Sequence, residues 1–509
     1  MPARWVDRFI QRREKKPFHI YGFLAIVTFV GSARFLLELT LCKSIIPRSI
    51  FQLPNQWSFY LCISLLFALG TAALARVEWQ KCLNVVTLGV FVGCFPPLID
   101  TLIFGPYQCF YAYNADGLRG WPWLLYSPER NVDVGEATAL WAAIFLLAMY
   151  VQRRSRSWLR TAVALAWGYG TVFFCSTVLG TTVRWLAAHN VPRHLGADPP
   201  VAAAPTLMAT AEVMVSLGCY LAFNRKLAAR IARRSIHGAP FAALTFLGAT
   251  HTAWVLARDG KTAPLDLSAT VLPLIWLAFA VVASIVQNDY FDQKEDSSRA
   301  ACPDVSLTDV RFVTFCSALV TFAALNSVAR AGMALLLLNL TALVYNADFY
   351  RGKRLFPTNY KIEATWGAGA YLLGVFIMTI GIPRPSADLW WGTALVFGGW
   401  SIFSSIKDYK DLLADRRARN QTLYILLWRR GVSIRALHRH LRLGLTLAML
   451  VPPALLHLSG LHSIALWCLT LPCAAFTFWA LGLGPKPRTV YLGFLGVTLY
   501  IVALAIALI

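Results

Sequence analysis

Two acidic clusters hold the residues whose types and spacing could do chemistry. The first reads Asn288-Asp289-Tyr290-Phe291-Asp292-Gln293-Lys294-Glu295-Asp296, and the second Lys407-Asp408-Tyr409-Lys410-Asp411-Leu412-Leu413-Ala414-Asp415. In each, aspartates stand three and then four residues apart: Asp289, Asp292 and Asp296, then Asp408, Asp411 and Asp415. On a helix that spacing keeps all three within roughly a 60° arc of one face. Both clusters end long apolar stretches, where ionisable groups are costly unless partnered. Carboxylate oxygens so arranged suit a hard divalent cation, and Mg²⁺ shared between carboxylates and a substrate phosphate is the commonest form.

The elements that must position these clusters are membrane spans. Of 509 residues, 57% are hydrophobic and only 14% charged, and the mean hydropathy is +0.56. Apolar runs of about 18 to 22 residues recur along the whole length. The expected fold is an all-α polytopic membrane protein of about fifteen transmembrane helices. They lie near 19–41, 57–76, 83–104, 136–152, 160–183, 201–224, 239–257, 266–288, 309–328, 331–349, 362–381, 388–406, 443–459, 462–481 and 489–509. A basic run, Asn224-Arg225-Lys226-Leu227-Ala228-Ala229-Arg230-Ile231-Ala232-Arg233-Arg234, separates the first six spans from the last nine. The expected domains are therefore 1–224, a six-span membrane domain, and 225–509, a nine-span one. The basic start of the chain leads into a membrane-length span, so no cleavable signal peptide is expected.

Charge gives the expected orientation. Lys and Arg number 47 against 25 Asp and Glu, for a net charge of +22. In a soluble protein this balance would suggest nucleic acid. Here the cations sit in short clusters between apolar spans, which is the positive-inside pattern. The N-terminus and the clusters at 76–81, 153–156, 225–234, 351–361, 416–442 and 486–488 fall on one side. Loops with fewer cations, at 42–56, 105–135, 184–200, 258–265, 382–387 and 460–461, fall on the other. This alternation puts the N-terminus and both aspartate clusters in the cytoplasm and the C-terminus outside, with a bacterial inner membrane as the expected location. The eleven cysteines show no ligand spacing and read as small apolar residues. Cys42 and Cys109 fall on the outer side, and nothing in the sequence requires them to pair.

The second part resembles the UbiA superfamily of intramembrane prenyltransferases. Asn288, Asp289, Asp292 and Asp296 match that family's NDxxDxxxD motif after the second of nine spans. Asp408, Asp411 and Asp415 match its second acidic motif after the sixth span, followed by Arg416-Arg417 and Thr422-Leu423. Between them, Tyr345-Asn346-Ala347-Asp348-Phe349-Tyr350-Arg351-Gly352-Lys353-Arg354 looks like the family's YSxxxxRxKR segment. The resemblance covers roughly 225–509 and has departures. Arg299-Ala300-Ala301-Cys302-Pro303-Asp304 stands where the family has an RPxRP-like run, Arg419 stands for a glycine, and Asn346 for a serine.

What the resemblance implies is a Mg²⁺-dependent transfer of a polyprenyl group from its allylic diphosphate to an acceptor. Both acidic motifs would face one cavity and hold Mg²⁺ through Asp289, Asp292, Asp296, Asp408, Asp411 and Asp415, with Asp292 and Asp411 central to catalysis. Asn288, Arg351 and Lys353 would bind or orient the diphosphate. Tyr345 is the candidate to stabilise the allylic cation through its ring. The prenyl tail would lie between helices, open to membrane lipid. The family's acceptors include aromatic, lipid and phosphosugar molecules, and no motif selects among them.

Plainer readings apply elsewhere. Lys294 and Glu295 suit a solvated helix end, His251 a packed or hydrogen-bonded position, and His438 and His440 a basic surface. In the first part, which only faintly resembles a Yip-type membrane domain, Arg34 and Glu38 are spaced for an intramembrane pair. Asp100 and Glu212 lie in spans, and Pro96-Pro97 interrupts the third. Helix–helix pairing accounts for these residues better than a second polar cavity does. This part could bring an acceptor, bind a partner or scaffold the enzyme. The competing reading of the whole chain is a non-enzymatic lipid or isoprenoid transporter or membrane scaffold that reuses the fold. A third is a regulator that binds an isoprenoid diphosphate without turnover.

Overall fold

Apolar runs of membrane length must satisfy their backbone polar groups internally, and helices do so within one segment. The computed structural model describes residues 8, 10–41, 53–105, 134–183, 199–260, 267–295, 305–346, 356–379, 386–406, 422–458, 464–484 and 487–509. Among these residues every regular element is helical, with eighteen α-helices and no strand. Eleven helical stretches among them are long and apolar enough to cross a membrane. Helices Trp158–Phe173, Thr358–Met378, Ala387–Phe403 and Pro487–Ala507 occupy four further positions where the sequence predicts spans. The chain is thus an integral, multi-pass, all-α membrane protein. It divides into two compact units between Ala228 and Ala229, inside the helix Arg225–Arg234.

The first unit contains α1 (Ile20–Leu41), α2 (Leu53–Ala75), α3 (Trp79–Gly89), α4 (Phe95–Phe104), α5 (Val134–Ser155), α6 (Trp158–Phe173) and α7 (Pro199–Phe223). A 3₁₀ turn, Val90–Cys94, interrupts the third span just ahead of the two prolines. In an unbroken helix the N–H of residue 97 would bond the carbonyl of Gly93, but proline has no N–H to give. That carbonyl instead accepts from Arg34 Nη1 at 3.0 Å and from the Tyr60 hydroxyl at 3.1 Å. Arg34 also donates through Nε to Glu38, one turn along α1, and through Nη2 to Glu136 Oε1 at 2.8 Å. Arg34 and Glu38 are both buried. Asp100 Oδ1 accepts the Gly135 N–H at 2.6 Å, and Glu212 Oε2 accepts the Ser58 hydroxyl at 2.5 Å. The buried polar groups of this unit therefore join helix to helix, as an intramembrane charge must if it is to be compensated.

The second unit takes in the end of α8 (Arg225–Arg234), then α9 (Ala239–Arg258), α10 (Leu267–Glu295), α11 (Leu307–Ser327), α12 (Ala329–Asn346), α13 (Thr358–Met378) and α14 (Ala387–Phe403). It closes with α15 (Leu423–Arg429), α16 (Ile434–Leu458), α17 (Ile464–Gly482) and α18 (Pro487–Ala507). Close packing of α9 on α13 depends on two glycines. A Cβ at Gly248 would lie 2.1 Å from the Tyr371 carbonyl oxygen, and one at Gly374 would lie 2.0 Å from that of Thr245. Small residues that let backbones approach are the usual means of joining helices in lipid.

Polar bonds fix the register of the next three helices. Gln287 on α10 donates to Thr314 on α11 at 3.0 Å. Asn339 on α12 accepts from Ser317 at 2.7 Å and donates to Thr321 at 3.1 Å, both on α11. With Val328 alone linking α11 to α12 and Gly332 against the Leu325 backbone, α11–α12 is an antiparallel hairpin. Its open end holds the end of α12 and the start of α11, and the Gln287–Thr314 bond brings the last turns of α10 to the first turns of α11. The start of α11 is fixed by a capping box: Ser306 Oγ accepts the Asp309 N–H at 3.2 Å, and Asp309 Oδ2 accepts the Ser306 N–H at 2.7 Å.

Candidate active site at the ends of α10 and α12

The last turns of α10 carry Asn288, Asp289 and Asp292. Asn288 Nδ2 donates to Asp292 Oδ2 at 2.7 Å, one turn along the helix, so the amide orients that carboxylate. Asp292 is half-buried, whereas Asp289 is only 2% exposed. A buried carboxylate needs cationic partners, and Asp289 has two. Arg230 Nε donates to its Oδ2, and Arg234 Nη1 lies 3.0 Å from its Oδ1.

Continuing the α11 registers outward brings Asn346 to the level of Asp289, within about one helical turn (~5 Å). Asn346 is 1% exposed, and neither its Nδ2 nor its Oδ1 has a hydrogen-bond partner among the described residues. Gln287 Oε1 is likewise buried without a hydrogen-bond donor among the described residues, whereas Asp289 Oδ1 faces Arg234 Nη1 across the ion pair. A buried polar atom without a partner costs about 1–3 kcal/mol, so the Gln287 and Asn346 oxygens, partnerless among the described residues, are open to a further donor or a cation. Oxygen acceptors are the donor set of a hard divalent cation; of the two described aspartates, Asp292, oriented by Asn288, suits one, and arginine-bound Asp289 does not. Tyr345, next to Asn346 on the last turn of α12, is half-buried.

Asp296, Arg351, Lys353, Asp408, Asp411 and Asp415 lie outside the described residues, as do Cys42 and Cys109. Among the described residues no group of three or more His, Cys, Asp and Glu side chains could hold a metal ion. Thr422, which follows the second acidic cluster, caps α15 by accepting the Ile425 N–H at 3.5 Å. His251 Nδ1 is hydrogen-bonded to the Tyr371 hydroxyl at 2.5 Å, and exposed His440 is bonded to the Ala436 carbonyl at 2.6 Å. The eight described cysteines are all free thiols.

Arg230 and Arg234 are the site residues that sequence reasoning missed. Positive-inside charge accounted for the whole run 224–234 and hid them. The available signal was amphipathic: Leu227, Arg230, Ile231 and Arg234 share one face of α8, and Leu227 and Ile231 are buried. Two arginines on the apolar stripe of a helix must have an acid to meet.

Residues 242–489 match the model of the UbiA prenyltransferase family. No curated protein and no solved structure matches the chain.

Proposed function

We propose that this chain, whose residues 242–489 belong to the UbiA prenyltransferase family, transfers a polyprenyl group from an allylic diphosphate to a lipophilic, aromatic or phosphosugar acceptor within the membrane. The observation that carries this reading is the convergence at one end of the second unit. Oriented Asp292, buried Asp289 and the Asn346 amide, partnerless among the described residues, stand in the segments that resemble the family's first and middle motifs.

Asp292 and Asp296 from one side and Asp408, Asp411 and Asp415 from the other would hold Mg²⁺, while Asp289, expected from the sequence as a further ligand, is instead engaged by Arg230 and Arg234. When bound, the metal neutralises the charge that grows on the leaving pyrophosphate. Asn288 fixes the Asp292 carboxylate through its amide. Arg351 and Lys353 add charge-assisted hydrogen bonds to phosphate oxygens, and Tyr345 faces the allylic group with its ring. Apolar helix surfaces exclude water, which would otherwise capture the allylic cation. Charge distribution supports a cytoplasmic placement of this end, with the N-terminus inside, the C-terminus outside and an inner membrane as the location. The first unit would bring an acceptor, bind a partner or scaffold the enzyme.

The test incubates the full chain in nanodiscs with labelled geranylgeranyl or longer diphosphates and membrane lipid extract, followed by mass analysis of prenylated products. A product that disappears on chelation of divalent cations, and in Asp292→Ala, is the expected result. Unchanged biological activity of an Asp292→Ala, Asp411→Ala double variant would favour a transporter or scaffold instead.

A further inference from the structure

We infer that Arg230 and Arg234 contact the diphosphate directly, as a second cationic arm supplied by a helix that precedes the family-matched segment. Asp289 acts as the anchor that positions both guanidinium groups. The inference rests on the prenyltransferase reading, because it names further residues of that same site.

Charge balance is the first argument. Two guanidinium groups converge on one carboxylate: Arg230 through Nε to Oδ2, and Arg234 through Nη1 at 3.0 Å from Oδ1. One arginine would neutralise Asp289. The second leaves these three groups net positive; with the neighbouring Asp292 charge taken up by a bound cation, two guanidinium groups stand side by side, an arrangement that an anion would relieve.

The second argument is the state of the donors. Arg230 Nη1 is buried and has no acceptor among the described residues, although the Nε of the same guanidinium is bonded. A planar guanidinium with one edge fixed on a carboxylate presents its other N–H groups in a set direction, and its fork matches two phosphate oxygens. The side chain of Arg234 is 43% exposed, so it can follow a ligand without a large desolvation cost. Other cations of α8 behave differently: Arg225, Lys226 and Arg233 are exposed and lie off this face.

Position supplies the third argument. Asp292, held by Asn288, is less than one turn beyond Asp289 on α10. A diphosphate drawn to a cation on Asp292 would bring its oxygens beside the arginines that Asp289 holds. This cationic arm would come from α8, which lies outside the matched residues 242–489.

The test is equilibrium binding of inorganic pyrophosphate and of geranylgeranyl diphosphate, with Mg²⁺, to the full chain in nanodiscs. Affinity and melting temperature are read for each variant. Arg230→Lys keeps the buried charge but loses the fork, and it should weaken pyrophosphate binding about tenfold. Arg234→Gln, at a half-exposed position, should weaken it about three- to tenfold while the melting temperature holds, and should flatten the salt dependence of binding. If Arg230→Lys fails to fold, Arg234→Gln alone decides. Wild-type affinity in Arg234→Gln, with binding lost in Asp292→Ala, overturns the inference and leaves the prenyltransferase reading intact. A lowered melting temperature with unchanged affinity also overturns it, since that is the signature of a purely structural ion pair. If the wild-type chain binds neither diphosphate, the functional reading itself fails.

Discussion

Arg34 on α1 donates to Glu136 on α5 at 2.8 Å, joining two helices whose residues are 102 positions apart in sequence. The same guanidinium serves Glu38 and the Gly93 carbonyl, so one side chain ties together three segments of the first unit. Replacing it by leucine would leave Glu38 and Glu136 without their cation. Arg34→Leu is expected to destabilise the first unit by about 3–5 kcal/mol, the usual cost of stranding a buried charge. Denaturant titration in detergent micelles checks this, and Arg34→Leu, Glu38→Leu should recover part of the loss.

Asn346 should behave in the opposite way. Its amide has no hydrogen bond to lose among the described residues, so Asn346→Leu is expected to leave the melting temperature unchanged or raise it. The same variant should lower prenyl transfer about tenfold or more, because it removes the groups that would meet a bound ligand. A fall in melting temperature would show that the amide is partnered after all.

Asn339 is the contrasting case within the same helix. It accepts from Ser317 and donates to Thr321 and to the Leu335 carbonyl. Asn339→Leu is expected to cost about 1–2 kcal/mol and to loosen the α11–α12 hairpin that sets the level of Asn346. Hydrogen exchange of α12 amides reads that loosening directly.

Packing of α9 on α13 offers a steric test. At Gly374 an added Cβ would fall 2.0 Å from the Thr245 carbonyl and 2.8 Å from the Ala249 nitrogen, both of which are backbone atoms that cannot turn aside. Gly374→Ala should therefore force the helices apart and cost about 1–3 kcal/mol. Gly398, with nothing within 4 Å of an added Cβ, should accept alanine without that penalty.

At the chemical site, Asp292→Ala is expected to reduce prenyl transfer about a hundredfold or more, as loss of a central electrostatic group does. Asn288→Ala should be milder, since it frees the Asp292 carboxylate to reorient but leaves its charge. Product quantification under saturating donor separates the two.

The spans could be read from apolar run length alone, because lipid leaves a helix as the only open structure for such a segment. Arg34 with Glu38 was readable for the same local reason: a spacing of four puts both on one face. The Gly93 carbonyl was half-readable, since prolines at 96 and 97 foretold freed acceptors but not which side chain would take them. That Arg230 needed an acid was legible in the apolar stripe of α8, but that the acid is Asp289 was not. Fifty-nine residues separate the pair, and the arginine already had a sufficient explanation in membrane topology. Asn346 was noted as a departure from a family serine, but the loneliness of its amide is a property of packing and has no trace in a one-dimensional pattern.

Pro97 carries a consequence that reaches beyond its own ring. An alanine there would restore an N–H facing the Gly93 carbonyl, and the backbone would compete with Arg34 for that oxygen. The damage would be felt on α1, at a cation that the substituted residue does not contact in this bond. Genetically, a proline lesion in the third span and an arginine lesion in the first would look like the same defect. Suppressors of one should be sought among the acids that surround the other.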